Sequence, residues 1–111
     1  MDYPDIIENL PDIDLKLTGV RGKLLQAGDK QLVFFDIQPI GAIPPHAHQA
    51  QWGIVIDGEV ELTIGGVAKT YRQGDSYYIP EGVEHSARII SRLKALDLFD
   101  EPNRYQPKKD E

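Results

Sequence analysis

Two stretches decide the fold of this chain: GAIPPHAHQAQWGIVIDG at residues 41–58 and GDSYYIPEGVEHSARI at residues 74–89. They contain all three histidines, which are His46, His48 and His85. Imidazoles two positions apart on an extended segment lie on the same face of a strand. A third histidine on a partner strand can close on them, and three neutral imidazoles with free coordination positions are typical of a working divalent metal site. The sequence therefore predicts a metal site inside a small β-barrel.

Length and composition set the class of protein. The chain has 111 residues, of which 41% are hydrophobic and 27% charged, as expected of one soluble globular domain. Without cysteine, the chain has neither disulfides nor thiolate metal ligands. The net charge of -6 repels phosphate backbones, so nucleic acid is not an expected partner. No apolar run is long enough for a membrane span and residues 1–5 lack a secretion signal, so we expect a cytoplasmic protein with no membrane partner.

Short strands separated by turn residues predict an all-β barrel or sandwich. Residues 20–26 and 31–37 are expected to form one hairpin. Residues 52–56 and 59–64 are expected to form a second, around Asp57-Gly58, because type I′ turns favour an Asp-Gly pair. The remaining strands are expected at residues 67–71, 76–79, 83–90 and 93–99.

Three segments follow from this pattern. Residues 1–19 are expected to form an N-terminal arm with at most one helical turn, between Pro4 and Pro11. Residues 20–100 are expected to form the barrel. Residues 101–111 are polar and contain proline, so we expect a mostly extended C-terminal tail.

The two histidine-containing stretches resemble the two motifs of the cupin family, in particular its small single-domain members. The first motif is usually Gly, five residues, His-x-His, three or four residues, Glu, six residues, Gly; here it begins at Gly41 and ends at Gly58. The second, Gly, five residues, Pro-x-Gly-x-x-His, begins here at Gly74 and ends at His85. The resemblance implies a double-stranded β-helix, the jelly-roll barrel of cupins.

The match departs from the family pattern at three points. The spacer before His46 is one residue short, the last Asn of the second motif is Ile89, and the usual Glu is Gln51. Counting back from the closing glycine selects Gln51 as the fourth ligand, whereas the shorter spacer after the histidines leaves Gln49 as an alternative. A neutral Gln would leave the metal with a larger net positive charge than Glu, which favours an anionic substrate.

The resemblance thus implies one divalent transition metal, with zinc, nickel, iron and manganese all compatible with such donors. The implied ligands are His46, His48, His85 and Gln51. We expect a small anionic substrate and a homodimer.

A proton carrier is also needed for isomerisation chemistry. In residues 93–99, strand alternation places Asp97 on the same face as three apolar side chains, although a charge at the barrel rim paired with an arginine would explain it equally well. Residues 97–104 also resemble the end of small cupins that linearise unsaturated uronates from pectin and alginate. That likeness implies Asp97 as acid or base and Arg104 as a clamp for the substrate carboxylate; the alternative for Arg104 is a solvated tail residue.

One of the adjacent residues Tyr77 and Tyr78 must face the barrel interior, and Tyr78 is the expected wall of the substrate pocket. The leading hypothesis is a metal-dependent isomerase or ring-opening enzyme acting on a small sugar acid such as an unsaturated uronate. An iron-dependent dioxygenase, a zinc polyketide cyclase and a non-catalytic module that binds a small ligand are the alternatives.

Overall fold

A computed structural model describes residues 1–109; the last two residues of the expected tail, Asp110 and Glu111, lie outside the described residues. The elements are one helical turn and nine strands within this range. They are α1 (Asp5–Glu8), β1 (Val20–Ala27), β2 (Lys30–Ile37), β3 (Ala42–His46), β4 (Gln51–Asp57), β5 (Glu59–Ile64), β6 (Val67–Arg72), β7 (Ser76–Ile79), β8 (His85–Ile89) and β9 (Leu93–Phe99). The expected all-β fold is confirmed.

The strands form two antiparallel sheets that pack as a jelly-roll barrel. One sheet has five strands in the order β1-β2-β9-β4-β7, and the other has four in the order β3-β8-β5-β6. Alternate side chains of both sheets point inward and form the core. Val33, Val55, Val60 and Phe99 are among its most buried members. The strand ends at one side of this core carry the histidines.

The first expected hairpin is confirmed, because β1 and β2 pair from Val20↔Ile37 to Ala27↔Lys30. The second is wrong. Strand β4 pairs with β7 and β9, whereas β5 pairs with β6 and β8 in the other sheet. The Asp57-Gly58 corner therefore carries the chain from one sheet to the other.

The geometry of this corner explains the difference. Gly58 has a φ of 90°, but no residue other than glycine has a positive φ in the described chain, so Asp57 does not adopt the type I′ conformation. A Cβ on Gly58 would collide with the backbone carbonyl of Arg92. The glycine thus allows the corner to pass close to the start of β9.

The N-terminal arm and the C-terminal tail both pack on the barrel. Tyr3 and Ile13 are buried, and the Tyr3 hydroxyl donates a 2.7 Å hydrogen bond to the carbonyl oxygen of Phe35. An isolated antiparallel β-bridge between Ile13 and Pro107 joins the arm to the tail. Tyr105 stacks edge-on against Phe35, so the tail lies along the barrel. Within residues 1–109 no helix has the length and apolar character needed to cross a bilayer.

Candidate metal centre

The three histidines converge at one end of the barrel. His46 is the last residue of β3 and lies directly opposite His85, the first residue of β8. His48 follows in the loop after β3 and is not part of the strand. The ring centroids of His85 lie 4.2 Å from His46 and 4.7 Å from His48. One nitrogen from each ring lies within 4.8 Å of the other two, which is close enough for a shared ion.

The backbone fixes the tautomer of each imidazole. The Nδ1 atoms of the three histidines lie 2.7–3.0 Å from main-chain carbonyl oxygens, those of Pro44, Gln49 and Val83. A carbonyl oxygen only accepts hydrogen bonds, so each Nδ1 carries the proton and each Nε2 keeps its lone pair. The Nε2 atom of His85 is buried and has no hydrogen-bond partner within residues 1–109. Such an atom is satisfied by a cation, so the cluster fits a divalent transition metal.

Burial also favours the neutral form of two of these rings, those of His48 and His85. Burial lowers the pKa of His48 to about 4, and burial likewise lowers the pKa of His85. Metal ions bind the neutral imidazole, so protons do not compete strongly for these two side chains at neutral pH.

Gln51 begins β4 and lines the cavity next to the histidines. Its amide nitrogen donates a 2.8 Å hydrogen bond to Oδ1 of Asp97. Because the nitrogen is engaged, the amide oxygen is the atom left to serve as a ligand. Gln49 is exposed, so of the two glutamines Gln51 is the one that lines the cavity.

Asp97 lies inside the barrel, 2% exposed, as the alternation of β9 predicts. The Tyr77 hydroxyl donates a 2.6 Å hydrogen bond to Oδ1 of Asp97, the same oxygen that Gln51 contacts. Burial raises the pKa of Asp97 to about 6, and the two hydrogen bonds oppose this rise. No arginine is among its ion-pair or hydrogen-bond partners in the described chain, so the rim-charge interpretation does not hold.

Tyr77, and not Tyr78, faces the cavity, so the expectation for Tyr78 is wrong. Tyr78 is 58% exposed on the outer face of β7, whereas Tyr77 is 8% exposed and lines the cavity. Side chains alternate along a strand, so Tyr77 shares the inner face with the buried Ile79. The sequence alone did not determine which of the two adjacent tyrosines faces the cavity.

Gly53 makes the contact between Tyr77 and Asp97 possible. It pairs with Tyr77 on one side and with Asp97 on the other, so it lies between them in the sheet. A Cβ at this position would collide with Oδ1 of Asp97 and with the Tyr77 ring. The sequence did carry a signal for this, because glycine inside a strand marks a close approach by another group.

Arg104 lies in the tail and lines the same cavity. Its guanidinium carbon is 5.0 Å from the centroid of the Tyr105 ring, and its buried Nε atom has no hydrogen-bond partner among the described residues. A solvated tail residue would not be placed in this way. The cavity of about 390 Å³ thus brings Gln51, Asp97 and Arg104 together with His46 and His85.

Comparison with known proteins identifies relatives of this chain. The family described as "Cupin domain" matches residues 33–99. The H2HPP isomerase of Bacillus subtilis is 32% identical over 99 residues, which cover 78% of this chain and 42% of that protein. The mannose-1-phosphate guanylyltransferase of Salmonella montevideo is 34% identical over 55 residues, which cover 50% of this chain and 12% of that protein. The chain therefore spans less than half the length of these two curated relatives.

Solved structures also match, two of them over most of their own length. KdgF from Halomonas sp. has a TM-score of 0.73 at 25% identity, covering 84% of this chain and 87% of that one. An RmlC-like cupin from Shewanella frigidimarina NCIMB 400 has a TM-score of 0.74 at 27% identity, covering 85% and 86%. A structure of Bacillus subtilis oxalate decarboxylase, which has Mn(II) centres, shares the fold at 22% identity and a TM-score of 0.73, covering 87% of this chain and 29% of that one.

Proposed function

This chain belongs to the cupin family, and from that membership we propose that it is a metal-dependent isomerase of a small organic acid. The observation that carries the proposal is a buried acid, Asp97, in the same cavity as two of the three clustered histidines. A relative named H2HPP isomerase supports the reaction class. A cavity with a cation site and a proton carrier is suited to moving a double bond.

The geometry supports the following binding groups. His46, His48 and His85 would hold a divalent metal through their Nε2 atoms, and the amide oxygen of Gln51 is the proposed fourth ligand. A divalent metal bound there supplies a Lewis acid that polarises an oxygen of the substrate. The planar guanidinium of Arg104 binds the substrate carboxylate, a task that suits its fork of donors.

Asp97 moves the proton. Both hydrogen bonds to its carboxylate end on Oδ1, so Oδ2 is the oxygen left to exchange a proton with substrate. In its ionised form, Asp97 takes a proton from a carbon next to the polarised group and returns it to another carbon of the same molecule. The double bond shifts without net oxidation or reduction. Tyr77 and Gln51 fix the orientation of this carboxylate.

The substrate is proposed here only as a small acid. The resemblance to uronate-linearising cupins implies an unsaturated uronate, which is therefore one of the acids to assay. The acidic net charge of the chain does not oppose this, because Arg104 and the proposed cation site provide local positive charge.

The test is turnover of candidate organic acids in D₂O, followed by NMR, with purified protein loaded with one divalent metal at a time. We expect isomerisation and deuterium incorporation that require the metal and that are lost in Asp97→Asn and His85→Ala, both with the fold retained. Tyr78→Phe, on the outer face, serves as the matched control and keeps full activity. Full turnover by metal-stripped protein, or by Asp97→Asn, would overturn the proposal.

A further inference from the structure

The cavity extends along the strands from the histidine end of the barrel to the opposite end. Strand β8 begins at His85 and ends at Ile89, and four residues of strand span about 13 Å. Both residues line the cavity. The far end is lined by aliphatic side chains on paired strands, Ile89 beside Val60 and Leu93 beside Ile37.

Polar groups lie mainly near the histidines, and several of them are already engaged. The Tyr77 hydroxyl and the Gln51 amide nitrogen donate to Asp97. Ser86 is adjacent to the metal-site residue His85 in sequence. Beyond this end, the wall offers hydrocarbon and no row of hydrogen-bond partners for a ring covered with hydroxyl groups.

The N-terminal arm adds to the apolar wall. Leu15 and Leu17 line the same cavity and remain 37% and 46% exposed to solvent. Large apolar side chains held at the solvent boundary of a cavity are suited to contact an apolar part of a ligand.

We propose that the substrate is a carboxylic acid with an apolar body, aryl or branched alkyl, and not a polyhydroxylated sugar acid. This inference rests on the proposed function and names its substrate class. The carboxylate binds at Arg104 and the cation site, and the body packs against Ile37, Ile89 and Leu93. Each hydroxyl of a sugar acid would leave water for a hydrocarbon wall without a new partner, whereas an apolar ring gains from the same transfer.

The test is calorimetric binding of two monoanions of similar size, 3-phenylpropanoate and glucuronate, to the full chain loaded with Zn²⁺. One unpartnered hydroxyl in an apolar pocket costs about 100-fold in specificity, so we expect 3-phenylpropanoate to bind at least about 100-fold more tightly. Equal or tighter binding of glucuronate would overturn the substrate class and leave the isomerase proposal standing. If neither of these acids nor pyruvate binds, both proposals fail.

A cavity-filling variant gives an independent readout. Ala87 lines the cavity on β8, midway between His85 and Ile89. Ala87→Leu should weaken the binding of 3-phenylpropanoate at least about 10-fold, because the larger side chain fills part of the cavity. The affinity for pyruvate should not change, because pyruvate occupies only the polar end. Ala68→Leu, exposed on β6 of the same sheet, is the matched control and should change neither affinity. Unchanged 3-phenylpropanoate binding in folded Ala87→Leu contradicts the inference.

Discussion

At the scale of single residues, the position of Asp97 is unfavourable for folding and useful for chemistry. Burial raises the pKa of Asp97 to about 6, above the value of about 4 expected in an unfolded chain. Above pH 6 the folded state therefore contains an unfavourable buried charge. Below pH 4 the side chain is protonated in both states and the cost disappears.

Asp97→Asn should stabilise the metal-free protein by about 2 kcal/mol at pH 8, with the gain falling well under 1 kcal/mol at pH 4. Asparagine keeps an Oδ1 atom that can accept the hydrogen bonds from Tyr77 and Gln51, so packing is preserved. Urea unfolding at the two pH values measures the difference. A gain that is equal at both pH values would contradict this assignment of charge.

Tyr77→Phe should lower kcat by about 10-fold to 100-fold with KM changed less than about threefold, because in the proposed mechanism Tyr77 acts by positioning Asp97. The lost hydrogen bond to a carboxylate should also cost about 2 kcal/mol of stability at pH 8. Steady-state kinetics and urea unfolding measure the two effects.

Tyr78→Phe is the control for this change, because Tyr78 is exposed on the outer face of the same strand. Equal effects of the two substitutions on kcat would show that Tyr77 has no special role.

The sequence predicted the histidine cluster because its members are few and closely spaced in the motifs. It also placed Asp97 on the inner face, since alternation with Ala95 and Phe99 is unambiguous. It did not distinguish Tyr77 from Tyr78, because two aromatic neighbours satisfy the same pattern in either register. The alternation pattern therefore identifies the candidate site residues more reliably than it identifies the face of the strand on which each side chain lies.

At the scale of elements, strand β4 links the metal end to the proton carrier. Gln51 and Gly53 lie on it two residues apart, between β7 and β9. Side chains two apart share a face, so an ordinary residue at position 53 would occupy the space of the Tyr77–Asp97 hydrogen bond.

Gly53→Ala should lower kcat at least about 10-fold and destabilise the fold by about 1–3 kcal/mol, because the added methyl group overpacks the buried Tyr77–Asp97 contact. Ser76→Ala, exposed on the neighbouring strand β7, is the control and should change neither quantity. Kinetics and thermal unfolding give the comparison. A fully active, fully stable Gly53→Ala would show that the two side chains can meet by another route.

The Asp57-Gly58 corner shows why strand pairing was harder to predict than strand position. The flanking strands lie close to their expected bounds, yet they belong to different sheets. The partners of β4 in its sheet are β7 and β9, and each is separated from β4 in the chain by at least the two strands β5 and β6. Turn residues report the local conformation, whereas the choice of sheet depends on long-range packing.

In the whole molecule, the outer face of the five-stranded sheet carries an apolar row. A row of side chains crosses all five strands in register, formed by Leu25, Leu32, Leu98, Trp52 and Tyr78. Trp52 is 41% exposed and Tyr78 is 58% exposed. A second copy of this chain, related by a two-fold axis, would cover the row with the same row, which is the simplest closed assembly.

The homodimer is therefore retained as a prediction, with a mass of about 25 kDa, twice that of the 12.5 kDa chain. Trp52→Glu should convert it to monomer, because a charge at the centre of an apolar interface loses its hydration. Val67→Glu, 70% exposed on the other sheet, should leave the dimer intact. Light scattering after size-exclusion chromatography measures the mass; a monomeric wild-type chain would remove this role for the outer face.

Elemental analysis of the purified protein shows whether His46, His48 and His85 share one divalent metal. We expect one divalent transition metal per chain in the wild type and loss of that metal in a folded His85→Ala variant. A wild-type chain that neither contains nor takes up such a metal, or a His85→Ala variant with undiminished metal content, would contradict this expectation.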